Sequence, residues 1–171
     1  SGKSDRPTVA LLGEMFPADP IGIGGILSHL GLATGPVVPC REWRELYGAL
    51  DCSLVSAIHP FYTASIREFE EAGRPILGSA PVGSEGTGDW IQSVGEIFNI
   101  KKGIISKCKN EILPKINEGL KLHKIKGTIT LSGYEGSELL VARLLIESGA
   151  KIPYVGTACP KTKWSQKDKE W

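Results

Sequence analysis

Short apolar runs and helix-like segments alternate along nearly all of this 171-residue chain, and that alternation limits its fold more than any other feature. The runs PTVALLGE (7–14), GPVVP (35–39), CSLVSAI (52–58), RPILGSA (74–80), GTITLSG (127–133) and IPYVGTA (152–158) are strand-length, and most are bounded by glycine, proline or polar turns. Between them lie segments with helical apolar spacing. These are 21–30, stopped by Gly31; 41–50, with Trp43, Leu46, Tyr47 and Leu50 on one face; 63–73; 87–100; roughly 101–123, interrupted at most at Pro114; and 136–149. A helix between consecutive strands is the connection a parallel pair requires. The expected class is α/β, a Rossmann-like (flavodoxin-like) parallel sheet with helices on both faces, plus a second, incomplete α/β unit.

Charge suggests where the units meet. Residues 1–98 carry 6 Lys/Arg against 12 Asp/Glu, and residues 99–171 carry 14 against 7, so a net −6 adjoins a net +7. The expected division is a linker at 1–6, a first Rossmann-like domain at 7–100, a connecting helix at 101–126 and a partial second domain at 127–171. The opening Ser-Gly-Lys-Ser reads as a linker, so the chain is expected to be a piece of a longer one. The basic residues Lys101, Lys102, Lys107, Lys109, Lys115, Lys121, Lys124 and Lys126 follow a predicted helix and read as its solvated face rather than a nucleic-acid surface.

Several chemistries lack their motifs. Cys40, Cys52, Cys108 and Cys159 are scattered with no C-x-x-C pair, which argues against a self-contained zinc site. The missing signal peptide points to a reducing cytoplasm. No apolar run reaches the ~20 residues that span a bilayer. GIGG (22–25) falls short of a dinucleotide fingerprint and lies inside a helical pattern. No phosphate-binding G-x-x-x-x-G-K-[ST] or nucleophile elbow occurs, so the chain does not itself hydrolyse ATP.

Open parallel sheets bind ligands beyond the carboxyl ends of their strands. Four predicted strand ends carry unusual residues: Gly13–Pro20, His59-Pro60-Phe61-Tyr62, Gly78–Gly83 and Gly133-Tyr134-Glu135-Gly136. Glu14 and Asp19 suit either a site or the N-cap of the next helix. His59 suits either a site or a satisfied turn histidine, and Phe61 and Tyr62 either a ligand wall or core. Tyr134 and Glu135, set between two glycines, have no evident packing duty.

Three blocks then carry a family resemblance: GEMFPADP with GPVVP and REWRELY, AIHPFYTASIREFEEAGRPILGSAPVG, and LSGYEGSELLVARLLIESGA with YVGTACPKT. They resemble the Y subunits of chlorophyllide a reductase, in the nitrogenase-like group with nitrogenase component 1 and dark-operative protochlorophyllide reductase. The resemblance implies pairing with a homologous Z subunit as a heterotetramer. It also implies electrons from an iron–sulfur reductase (the X protein) that uses ATP and Mg, and a [4Fe-4S] cluster relaying them to chlorophyllide a. The reaction implied is reduction of a ring-B double bond in bacteriochlorophyll synthesis. The cluster's cysteines would lie in an amino-terminal domain outside this chain, so none of the four cysteines is assigned to metal and the piece alone is expected to be inactive.

On this reading His59 and Glu135, with Glu14 as a weaker third, are the candidate proton donors, although the partner subunit or the pigment's own carboxyl group could serve instead. Phe61, Tyr62, Gly133, Tyr134 and Gly136 would line the substrate cavity. The alternative is a stand-alone α/β small-molecule-binding module without catalysis, which the same fold supports by analogy.

Overall fold

A computed structural model describes residues 6–13, 16–59 and 62–171. Strands β1 (Thr8–Leu12), β2 (Ala33–Val38), β3 (Leu54–Ala57) and β4 (Ile76–Leu77) form one sheet in the order β2-β1-β3-β4. Every pairing in it is parallel. Pro36 lies in the edge strand β2, where a missing N–H is tolerated. Strands β5 (Thr128–Ser132) and β6 (Lys151–Gly156) form a separate parallel pair. The alternation therefore yields the expected α/β class with parallel sheets.

The alternation of side chains along β1 divides the core into two layers. Val9 and Leu11 face α1 (Pro20–His29), α4 (Gly83–Ile97) and α5 (Lys102–Leu122) through Ile23, Leu27, Trp90, Ile91, Val94 and Ile105. Ala10 and Leu12 face α2 (Trp43–Leu50) and α3 (Thr63–Glu71) through Ala49, Ile66 and Phe69. Strands covered on both faces need the continuous apolar runs seen here, and burial of that surface drives the packing. Trp90 brings a polar atom inside, and its indole N–H donates to Ser56 Oγ at 3.0 Å, which offsets the cost of burying both groups.

Helix α6 (Glu138–Glu147) packs on β5 and β6 and also reaches the first unit, where its Leu140 joins the core beside Trp90. The two units are fastened at several points. The Glu147 carboxylate accepts N–H bonds from Ser84 (2.5 Å) and Glu85 (3.3 Å) at the start of α4. Short helix α7 (Gln166–Glu170) and the segment before it contribute Lys163–Glu70 and Lys167–Asp89 ion pairs. Among the described residues, no helix is long and apolar enough to cross a membrane.

Two local expectations need correction, and one further element joins them. Helix α4 begins at Gly83 rather than at 87. GSEGTG reads as loop by propensity, yet two of its glycines are close-packing positions, with Gly86 under Arg143 and Gly88 under Leu113. The tail adds a short helix at 166–170, whose Asp168 is drawn inside by Ser79 and Arg143. The apolar face assigned to α2 is mostly outward. Trp43 is 79% and Tyr47 70% exposed, while Leu46 packs partly and Ala49 is fully buried. The helix meets β2 through its small residues, and a Cβ on Gly48 would stand 3.4 Å from Pro36 Cγ.

Candidate active site at the strand carboxyl ends

The carboxyl ends of β1 and β3 meet at Gly13 and His59. The Gly13 N–H donates to Val38 C=O at 2.7 Å, and the His59 N–H donates to Leu12 C=O at 3.2 Å. Gly13 has φ +114°, and a Cβ there would collide with the Cβ of His59, so only glycine lets the two strand ends close together. His59 is 1% exposed, and its ring lies edge-on to Tyr62 with centroids 6.1 Å apart. Burial pushes its imidazole below the ordinary value, against the nearby negative charges of Glu135 and Glu138, and so favours the neutral ring.

Those two glutamates come from the other sheet. After β5 the loop 133–136 swings outward, leaving Tyr134 92% exposed and the Glu135 side chain exposed, while Gly136 turns back with φ +86° into α6. The loop folds over one buried carboxylate. Glu138 Oε1 accepts the Glu135 N–H at 2.9 Å and Oε2 accepts the Thr157 hydroxyl at 2.6 Å from beyond β6. Burial opposes ionisation of Glu138, but these bonds, with N–H groups of Gly136 and of Glu138 itself, hold its carboxyl below the usual range. A Cβ on Gly133 would stand 2.5 Å from Glu138 Oε1, so the space this glycine leaves is taken by the chain's own carboxylate.

The structure thus brings His59, Tyr62, Glu135 and Glu138 into one neighbourhood at the ends of β3 and β5, with Gly133, Tyr134 and Gly136 in its outer loop. Glu14 and Phe61 lie outside the described residues. Asp19 is the N-cap of α1, accepting N–H bonds from Ile21 and Gly22, both at 3.0 Å. Glu138 and Thr157 were not among the sequence candidates. Glu138 sits three residues after Glu135 and begins an apolar helical run, a spacing that also signals an ordinary helix start.

The strand end at Gly78–Gly83 is closed by the chain itself. The Trp164 carbonyl fills the place of a Gly78 side chain, and Ser79 Oγ donates to Asp168 Oδ1 at 2.5 Å. A cavity of only about 10 Å³ is left among Ala57, Gly78, Ser79, Trp164 and Asp168. Asp168 is pushed up by burial, with Ser79, Arg143 and Lys167 acting the other way.

Three of the four thiols are placed poorly for an iron–sulfur cluster. Cys52, Cys108 and Cys159 are each buried among different elements, and burial pushes all three up, whereas a cluster needs converging thiolates. Among the described residues no three His, Cys, Asp or Glu side chains converge as metal ligands would.

Parallel sheets packed between helices in this order define an α/β scaffold of the Rossmann-like type. The chain belongs to the nitrogenase component 1 type oxidoreductases, whose family pattern matches residues 1–171. It is 64% identical over 171 residues to a "Chlorophyllide reductase 52.5 kDa chain" of Cereibacter sphaeroides, a match covering 100% of this chain and 34% of that one. The protein of the same description from Rhodobacter capsulatus is 61% identical over 171 residues, with 100% and 34% covered. This chain therefore spans about a third of the length of those relatives. These descriptions do not separate a Y-type from a Z-type subunit. Among solved structures, "Nitrogenase Cp1 at pH 6.5" superposes with TM-score 0.69 at 15% identity, covering 92% of this chain and 32% of that one, which shows the fold alone.

Proposed function

We propose that this chain is the substrate-facing part of a chlorophyllide-reducing oxidoreductase, of the Y type, and that its strand-end loops form one wall of the pigment cavity. The observation that carries this reading is the convergence of His59 with Glu135 and Glu138 from a second sheet, in a chain 64% identical to a chlorophyllide reductase chain. In this reading residues 7–100 are one Rossmann-like domain, 101–126 a connecting helix and 127–171 the start of another, within a longer cytoplasmic protein. The [4Fe-4S] cluster is held by residues outside the chain. A Z-type subunit completes the heterotetramer, and an ATP- and Mg-dependent reductase supplies electrons.

Reducing a ring-B double bond takes two electrons and two protons. Glu135 is exposed at the loop and can touch a ligand, whereas His59 lies sealed behind it. Glu135 is therefore the better-placed donor, with His59 able to replenish its proton only through the imidazolium form that burial disfavours. Exposed Tyr134 offers a flat aromatic surface for the macrocycle. Gly136 keeps the loop in its turn, and Tyr62, with Phe61 beside it in sequence, extends the wall; Glu14 remains a third donor.

In the complete enzyme, Glu135→Gln and His59→Phe should lower turnover by about 100- to 10,000-fold, the usual worth of general acid catalysis, with the oligomer intact. Tyr134→Ala should weaken pigment binding more than it slows the chemical step. Parent-level turnover per bound pigment in both the Glu135 and His59 variants would refute the assignment and leave these loops as a binding wall alone.

A further inference from the structure

An exposed loop that presents an aromatic ring and a carboxylate to a rigid pigment must itself be held. Gly133 N–H donates to Gly156 C=O at 3.2 Å, which ties the loop's first residue to β6. Beyond it, the loop leans on Glu138. This side chain is only 8% exposed, yet it carries bonds from the loop (Glu135 N–H, 2.9 Å) and from beyond the neighbouring strand (Thr157 Oγ1, 2.6 Å). Ser137, the N-cap of α6, makes no side-chain cap bond, so the Glu138 carboxylate takes up the N–H groups gathered at the helix start. Gly133 leaves the space it occupies. One buried anion thus pins the loop, the start of α6 and the end of β6 together.

We infer that Glu138 is the positioning residue of this site: its carboxylate fixes the 133–136 loop so that Tyr134 and Glu135 face the pigment, without touching the pigment itself. The inference rests on the reading above for what the loop faces, but not for how the loop is held. The titratable groups around Glu138 are His59 from the end of β3, Glu135 from the loop and Cys159 from the segment after β6. Its negative charge favours the imidazolium of His59, so removing it should make His59 harder to protonate.

The test uses the complete enzyme with chlorophyllide a, and hydrogen exchange followed by mass spectrometry over residues 131–138. Glu138→Ala should speed exchange in this segment about tenfold or more and lower kcat/KM for chlorophyllide. Glu138→Gln keeps an acceptor for the Glu135 N–H and should recover part of both losses, while moving the alkaline limb of the pH profile, where His59 loses its proton, to lower pH. Thr157→Val keeps the Glu138 charge and removes one bond, so it should loosen the segment without moving that limb, and it serves if Glu138→Ala fails to assemble. Unchanged exchange in Glu138→Ala, or in Thr157→Val in its place, overturns the inference whatever the enzyme reduces. A loosened segment with parent kcat/KM also overturns it. Loss of kcat/KM on loosening, alongside a silent Glu135→Gln, would instead retain the positioning role and refute Glu135 as the proton donor.

Discussion

Glu147 fastens the unit holding Glu135 and Glu138 to the one holding His59. Helix α4 starts after Val82, which offers no capping side chain, and the N–H groups of Ser84 and Glu85 are taken by the Glu147 carboxylate at 2.5 and 3.3 Å. This is an N-cap supplied by another helix. Losing a cap costs about 0.5–2 kcal/mol, and a carboxylate against a helix N-terminus adds about 0.3–1 kcal/mol. Glu147→Ala should therefore lose about 1.5 kcal/mol, or ~3–6 °C in Tm for a chain of this size. Glu147→Gln, which keeps an acceptor but no charge, should lose about half as much.

The partner position is Gly83, with φ +70° and its missing Cβ directed at Glu147 Cδ, 2.7 Å away. Gly83→Ala should cost about 1–2 kcal/mol for the left-handed backbone and more for displacing the carboxylate. The double variant Gly83→Ala/Glu147→Ala no longer suffers that collision, so its loss should fall short of the sum by about 1 kcal/mol. Equilibrium urea denaturation of the four proteins measures the cycle, and amide exchange at Ser84 and Glu85 locates the change. Strict additivity, with Glu147→Ala within about 0.3 kcal/mol of the parent, would refute the clamp.

Gly13→Ala should be destabilising by about 2 kcal/mol or more, since φ +114° and the Cβ of His59 both oppose a side chain, with denaturant midpoints as the measure. Stability should also fall with acid in two steps. His59 binds its proton less readily when folded, so stability should drop as pH falls below its ordinary 6.5. Glu138 is held below its ordinary 4.5, so its contribution should be full above that value and be lost as pH falls through its lower folded one. Denaturation from pH 8 to 3 checks both steps: His59→Gln should abolish the first and Glu138→Gln the second.

The parallel α/β class was legible in the sequence because it rests on local periodicity. Val9–Leu12 is apolar at every position and Leu54–Ala57 at all but Ser56, as a strand covered on both faces requires, and 63–71 and 102–122 repeat at helical spacing. The loop at 133–136 was legible too, since glycines around an aromatic and an acid fit no packing pattern. Helix α4 was misplaced at its start because its glycines answer to Arg143 and Leu113, far along the chain. The outward turn of Trp43 and Tyr47 was hidden because amphipathicity does not say which face meets the sheet. The pairing of His59 with Glu135 was expected from the family resemblance alone, and the place of Glu138 beside them had no signal of its own. The grouping joins the end of β3 to the end of β5, and only the packing of α6 and the Glu147 clamp across the two sheets bring them within electrostatic reach. Local chemistry writes strands, helices and turns into the sequence, whereas the meeting of two strand ends depends on burial between distant elements, which no short window of residues contains.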